Sequence, residues 1–439
     1  MTPEPHLGGV PVEEIAHRFG TPTYVYDGGS LREAYTELRA GLHPAVDLFY
    51  SLKANPNVSV TALLRAMGAG MEVSSLAELA TARWAGARPE EIIMLGPGKS
   101  AEELRLAVEL GIRAVVCESL DEVAAVDALS RPGRTRVLLR VNPDFTTKGS
   151  RLAMGGKPRQ FGTDQETLRT AGTVLRGLRH VELAGIHVYM GTRILDAADI
   201  VHNTRGALAA ATELATAIGF PLREVDVGGG LGVAYFDQET DLDLAELLTG
   251  VNAAVTDFRA AHPDCRIIME LGRYLTARSG TYLVRARSVK QSRGQQFVIT
   301  DGGMNHHMAA IGVGSFVKRN FPIRSLSHPD APATERYTLT GPLCTPEDVL
   351  GRNVALPPVA PGDLIGVERS GAYGPTASPV LFLSHGYPAE VLVLDGEAHL
   401  VRHRDTVADL LGRQQLVPPL DPDRLDPDQL WATPERTAP

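Results

Sequence analysis

Apolar residues along the chain fall into short β-rich runs, separated by longer stretches that carry Ala, Leu and Glu at helical spacing. From Val46 onward the runs are 46–54, 71–75, 91–97, 114–118, 136–142, 183–190, 224–228 and 266–271. The segments between them, such as Ser75 to Ala87, Ala101 to Leu110 and Leu195 to Ile218, predict helices. Continuous apolar runs are what strands buried on both faces require, because helices cover each side of a parallel sheet. Eight such units predict an α/β fold, a closed parallel (β/α)8 TIM barrel over residues 28–274.

Past Tyr274 the pattern changes to strands with Gly and Pro turns: Gly280 to Val289, Gln296 to Thr300, Tyr337 to Thr340, Asp363 to Val367 and Ala389 to Leu394. This predicts a mainly antiparallel β-sandwich or barrel domain over 275–415. The short strand Thr23-Tyr24-Val25-Tyr26 precedes the barrel and has no slot in a closed ring of eight, so residues 1–27 are expected at the edge of the second domain. Ser30 is the expected N-cap of the helix that follows. The tail 416–439, with Pro418, Pro419, Pro422, Pro427 and Pro434, is too proline-rich and polar to build a core and predicts a flexible end.

Composition narrows the class. The 439 residues are 44% hydrophobic and 22% charged, ordinary for a globular enzyme, and a net charge of −9 argues against nucleic acid as a partner. Cys117, Cys265 and Cys344 lie far apart without metal-ligand spacing, which predicts no metal site and fits a reducing cytoplasm. No basic segment followed by an apolar run opens the chain, and no stretch stays apolar for membrane-spanning length; a cytoplasmic protein is expected.

In a barrel of this kind chemistry sits at the C-terminal ends of the strands. There the pattern places Lys53, Glu72, Arg140, His187, the run Gly228-Gly229-Gly230-Leu231-Gly232, Glu270 and Arg273. Alone, a strand-end lysine is usually a solvated end group and a strand-end histidine a hydrogen-bonded core group. A glycine run between strand and helix either makes a tight turn or lets free amides face a phosphate. Arg273 adds a charge-assisted bond to that phosphate, or a structural salt bridge. A phosphate site with a lysine points to pyridoxal phosphate, whose aldehyde condenses with an amine. Glu270 then has a reason: a carboxylate beside the pyridine nitrogen favours the protonated ring, which takes up the electron pair released at the substrate Cα. His187 would lie against the ring face.

Six stretches carry a resemblance: Tyr50-Ser51-Leu52-Lys53-Ala54-Asn55, Gly185-Ile186-His187-Val188, the glycine run from Gly228, Glu270-Leu271-Gly272-Arg273, Gly341-Pro342-Leu343-Cys344 and Gly371-Ala372-Tyr373. From about Thr23 to Thr406 the chain resembles the fold-type III pyridoxal-phosphate decarboxylases of diaminopimelate, ornithine and arginine, which have an alanine racemase-like barrel and a C-terminal β domain. That resemblance implies Lys53 as the Schiff-base lysine, His187 stacked on the ring, Glu270 at the pyridine nitrogen and Arg140 near the ring hydroxyl. Glu72, Gly228, Gly229, Gly230, Gly272, Arg273 and Tyr373 complete the implied cofactor set. It also implies a homodimer with shared sites, in which the partner sends in Cys344 as proton donor along with Asp348; Thr345, Asp348 and Arg273 fall on the substrate side.

Two departures bear on function. Met190 stands where the family often has a serine or threonine on the phosphate, with Thr192 as a replacement, and Thr345 stands where diamino acid decarboxylases have the acid that recognises the far amino group. A neutral hydroxyl cannot balance that cation away from water. The stretches 153–162, 301–307 and 342–348 resemble the branch of the family that decarboxylates a glutamyl group held on an acyl carrier protein in butirosin biosynthesis. Lys148, Arg151, Lys157 and Arg159, with Lys318, Arg319 and Arg324, form basic loops suited to steering an acidic carrier, or ordinary solvated surface. A decarboxylase of a free diamino acid, an amino acid racemase and a catalytically dead binding homologue are the alternatives; Glu270 argues against the racemase, and Lys53, Glu270 and Cys344 together against the dead homologue.

Overall fold

The computed structural model describes residues 5–132, 135–146, 152–153, 157–311, 319–415 and 417. The chain divides into two compact units, one of Asp27–Gly280 with Glu368–Tyr373, the other from Met1–Tyr26, Thr281–Val367 and Gly374–Pro439.

In the first unit, β1 (Val46–Ser51), β2 (Gly70–Val73), β3 (Ile92–Met94), β4 (Ala114–Cys117), β5 (Thr135–Asn142), β6 (Val181–His187), β7 (Glu224–Gly229) and β8 (Arg266–Leu271) pair in parallel in chain order, and β8 returns to β1. The ring is closed, as the eight apolar runs predict. Strand interiors are buried throughout, and side chains such as Phe49, Ile93, Val116, Leu138 and Ile268 form one core cluster. Gly70 makes room for it: a Cβ there would sit 2.5 Å from the Phe49 ring.

Side-chain caps fix the starts of several barrel helices. Ser75, Ser100 and Ser119 cap the helices Leu76–Trp84, Ala101–Leu110 and Leu120–Leu129, each hydroxyl accepting the amide three residues on at 3.1–3.2 Å. The first helix, Gly28–Gly41, is capped by Asp27 rather than Ser30. The Asp27 carboxylate accepts from both the Gly29 and Ser30 amides, and Ser30 spends its own hydroxyl on Asp27.

The second unit is a sheet whose strands run, in spatial order, Val349–Leu356, Glu335–Thr340, Gln295–Thr300, Gly280–Ser292, Thr23–Asp27, Ala389–Leu394 and Glu397–Arg402. The early strand is therefore interior, not an edge. Its burial explains why: Thr23 to Tyr26 are covered on both faces, and an edge strand would leave one row of backbone groups to water. The pairing of Gln295–Thr300 with Glu335–Thr340 is parallel, whereas Gly280–Ser292 with Gln295–Thr300, Glu335–Thr340 with Val349–Leu356 and Ala389–Leu394 with Glu397–Arg402 are antiparallel. Glu368–Tyr373, which the strand pattern assigns to this domain, packs instead with the barrel. The tail from 416, Val417 excepted, and the basic residues Lys148, Arg151 and Lys318 lie outside the described residues. Among the described residues no helix is long and apolar enough to cross a membrane.

Candidate active site

β1 stops at Ser51, two residues short of Lys53, and a single 3-10 turn, Leu52–Ala54, carries the lysine. Asn55 and Pro56 force the break, and three bonds hold the turn: Tyr50 hydroxyl to Asn55 O at 2.6 Å, Asn55 Nδ2 to Gly371 O at 3.1 Å and Tyr373 N to Ala54 O at 2.7 Å. The last two place Glu368–Tyr373 beside Lys53. Tyr373 has φ +54°, a conformation costly for a bulky L residue, and its bonded amide helps to hold it there.

Lys53 Nζ donates to Glu72 Oε2 at 2.9 Å, and Glu72, fully buried on β2, also accepts from Ser74 Oγ at 3.1 Å. Burial disfavours the ammonium, but the carboxylates of Glu72 and Glu270 outweigh it and hold the Lys53 pKa well above the usual lysine range. His187 closes β6, and its Nε2 lies 3.4 Å from Glu270 Oε1 without hydrogen-bond alignment. Burial alone would raise the Glu270 pKa; His187, Lys53 and Arg140 instead hold it down to about 2. Arg140 closes the ring of charges, its Nη1 donating to Glu118 Oε1 at 2.6 Å and its guanidinium 4.8 Å from the Phe161 ring centre.

Lys53, Ser74, Arg140, Phe161, His187 and Glu270 border a cavity of about 600 Å³, and a recess of about 20 Å³ opens beside Ser51, Gly230 and Gly272. Lys53, Glu270, Arg273 and Tyr373 line both. Arg273 Nη1 donates to the Tyr235 hydroxyl at 3.1 Å, and its guanidinium lies 4.6 Å from the Tyr373 ring centre, yet its buried Nε has no partner. Thr192 and Tyr189 line both spaces, whereas Met190 is 4% exposed and lines neither. Burial pushes the Tyr189 phenol up to about 12, although Lys53 and a hydrogen bond to Thr192 pull the other way.

The glycines are dictated first by the backbone. Gly228 and Gly230 have φ of +67° and +80°, and a Cβ on Gly230 would lie 2.1 Å from Gly191 O. A Cβ on Gly229 would lie 1.8 Å from Glu270 O, and one on Gly272 would meet the Ala54 Cβ at 2.7 Å. Gly229 thus lets β7 approach β8, and Gly272, which borders the recess, lets the end of β8 approach the lysine turn.

In the second unit Cys344 is exposed, while Cys117 and Cys265 are buried with thiols pushed up by burial. Thr345 is half-buried and its hydroxyl accepts from Glu347 N at 3.4 Å. Asp348 is 2% exposed, and its two oxygens accept from Met304 N at 2.7 Å and Leu343 N at 2.8 Å, contacts that tie it to the cysteine loop.

Sequence reasoning missed Glu118, Tyr189, Tyr235 and the chemistry of Asp226. Asp226 is visible as the residue opening the glycine run; the others are ordinary polar or aromatic positions until the fold assembles them.

A parallel barrel that gathers an amine, an anion recess and a buried carboxylate at the C-terminal ends of its strands defines the class of pyridoxal-phosphate enzymes. The family model "pyridoxal-dependent decarboxylase, pyridoxal binding domain" matches residues 29–277, and the chain belongs to that family, whose members use pyridoxal phosphate. It is 38% identical over 415 residues to the L-glutamyl-[BtrI acyl-carrier protein] decarboxylase of Niallia circulans, covering 93% of this chain and 97% of that protein. It is 34% identical to the diaminopimelate decarboxylase of Deinococcus radiodurans, covering 91% and 97%. The structure of diaminopimelate decarboxylase from Helicobacter pylori complexed with L-lysine aligns with TM-score 0.81 at 27% identity, covering 91% of this chain and 98% of that one.

The residues present fit the cofactor. Arg273 Nε, Glu270 Oε1 and both ring nitrogens of His187 are buried without a partner beside the Lys53 amine, which is the donor and acceptor set a phosphate-bearing pyridine requires.

Proposed function

We propose that this decarboxylase removes the α-carboxylate of a glutamyl-like amino acid held as a thioester on an acyl carrier protein, working as a homodimer with shared active sites. The observation that carries the substrate assignment is the neutral Thr345 beside Cys344, where recognition of a free distal amine calls for an acid. The carrier-linked relative, similar along nearly its whole length, supports the same reading. A free diamino acid is favoured by one observation, the exposed Glu347 in the same turn, an acid two residues from Thr345.

When bound, pyridoxal phosphate supplies the electron sink for bond cleavage at the substrate Cα. Lys53 Nζ would hold its aldehyde, and Glu72, bonded to that nitrogen, can accept the proton the ammonium must lose first. Glu270 would present its charge to the pyridine nitrogen, and His187 would pack on the ring face. Arg273, Gly230, Thr192, Tyr189 and Tyr373 border the recess for the phosphate, so Thr192 takes the place that Met190 leaves. Arg140, fixed by Glu118, would face the ring hydroxyl. Cys344, the exposed thiol, enters from the other subunit and returns a proton to the substrate Cα.

The test offers purified enzyme glutamyl carrier protein, free glutamate, lysine, ornithine and diaminopimelate, and follows loss of carbon dioxide by mass spectrometry. The carrier-bound substrate should react, and more slowly at high salt if basic residues such as Lys157 and Arg159 steer it. Efficient turnover of a free diamino acid, with the tethered one untouched, would sink the proposal.

A further inference from the structure

Asp226 lies on β7, in register with His187 on β6 and with Ile268 on β8, and a register shift then sets Gly229 opposite Glu270. The three acid–base side chains converge in the barrel interior. Asp226 and His187 are fully buried, Glu270 is 3% exposed, and one ligand atom from each lies within 4.8 Å of the others. Asp226 Oδ1 accepts from Gly228 N at 2.8 Å; Asp226 Oδ2 and Glu270 Oε1 have no partner.

Two ionised carboxylates are acceptors only, so neither can satisfy the other, whereas one shared proton satisfies both. We propose that Asp226 is a positioning residue that stays a neutral carboxylic acid at working pH and donates a hydrogen bond to Glu270, leaving Glu270 as the single anion of the pair. The surroundings decide which partner keeps the proton. Burial drives the Asp226 pKa well up, helped by the charges of Glu270 and Glu72, with one backbone amide opposing. Glu270 instead feels His187, Lys53 and Arg140, which favour its charge. The consequence rests on Glu270 being the partner of the pyridine nitrogen: a neutral donor behind that carboxylate fixes its orientation without adding a second negative charge beside it.

The discriminating variant is Asp226→Asn, whose amide keeps an acceptor for Gly228 N and supplies a permanent donor to Glu270. It should bind pyridoxal phosphate within about twofold of wild type, while Asp226→Ala, which leaves both neighbours unsatisfied, should bind about tenfold or more weakly. A readout free of the cofactor comes from unfolding of the cofactor-free protein between pH 5 and 8. An aspartate with a raised folded pKa keeps a proton that the unfolded chain releases, so as pH rises through this window wild type should lose up to about tenfold in folding equilibrium constant per pH unit relative to Asp226→Asn. Parallel pH curves, or an Asn variant as damaged as Ala, would overturn the proposal by showing that Asp226 works as an anion. If Asp226→Asn does not fold, infrared spectra of wild type decide: a protonated-carboxyl stretch at neutral pH supports the proposal and its absence refutes it. Normal turnover by Glu270→Gln would strike the cofactor assignment of Glu270 separately, leaving the proton count to the unfolding curves.

Discussion

Replacing Asp348 with alanine should cost stability first and substrate affinity little. The carboxylate accepts two buried amides, Met304 N at 2.7 Å and Leu343 N at 2.8 Å, and Asp348 is 2% exposed. Each amide left without a partner costs about 1–3 kcal/mol, so the pair is worth roughly 2–6 kcal/mol, a large part of a domain's usual stability. The surrounding glycines exist to admit this group: a Cβ on Gly303 or Gly341 would lie 2.2 or 2.5 Å from its oxygens. Gly303→Ala should therefore reproduce the defect by pushing the carboxylate off its amides. Because Leu343 precedes Cys344, freeing its amide should also change the thiol's presentation. The assay pairs urea unfolding with the alkylation rate of Cys344 by iodoacetamide, read on the cysteine-containing peptides to separate it from the buried Cys117 and Cys265. An Asp348→Ala protein with wild-type unfolding and alkylation but a raised KM would refute the reasoning and restore a direct contact with substrate.

Borohydride reduction of the loaded enzyme should leave a pyridoxyl adduct on the peptide containing Lys53; an adduct found only elsewhere would contradict its assignment. Glu270→Gln should retain cofactor binding yet turn over about two or more decades more slowly, the usual size of a lost electrostatic contact to a transition state. Inactive Lys53→Ala and Cys344→Ala proteins, dissociated and reassociated together, should regain partial activity, and demonstrated mixed dimers without activity would count against shared sites. Burial holds His306 down to about 4 and His307 down to about 3, below the value of about 6.5 in an unfolded chain. Their stability is then complete above pH 6.5 and lost as pH falls, up to about 1.4 kcal/mol per pH unit for each, so denaturation from pH 7 to 4.5 should be less steep in His307→Gln.

The barrel was legible because its strands are buried on both faces and leave eight uninterrupted apolar runs, a signal that tertiary context reinforces. The same logic failed at Thr23–Asp27, where an equally apolar run has no neighbour in sequence to say that it pairs with Gly280–Ser292 and Ala389–Leu394. At the site, Lys53, His187 and Glu270 were visible as polar groups punctuating apolar runs. Glu118 was hidden because it reaches the site only by bonding Arg140 across from β4 to β5, and Tyr235 because its hydroxyl matters only once Arg273 meets it. At Asp348 a spacing in sequence cannot tell a carboxylate aimed at a ligand from one bonded to the amides of its own loop, Met304 N and Leu343 N.

The charges around the cavity argue for an anion independently of any motif. Four cations border it, and three are paired within the barrel unit: Lys53 with Glu72 at 2.9 Å, Lys99 with Glu122 at 3.1 Å and Arg140 with Glu118 at 2.6 Å. Arg273 has a tyrosine hydroxyl, aromatic faces and an unpartnered buried Nε, but no carboxylate among the described residues. A buried guanidinium is costly without a counter-charge, and in a chain of net charge −9 that cost would readily be met by another acid. Of the two cations that line the recess with Gly230 and Thr192, Lys53 has Glu72 and Arg273 has no carboxylate, and a dianionic phosphate seated there would satisfy Nε and the local field together. Substituting Arg273 removes the one cation bordering the cavity that has no carboxylate partner among the described residues and should weaken cofactor binding, whereas substituting Arg140 takes from Glu118 its ion-pair partner and should loosen the rim.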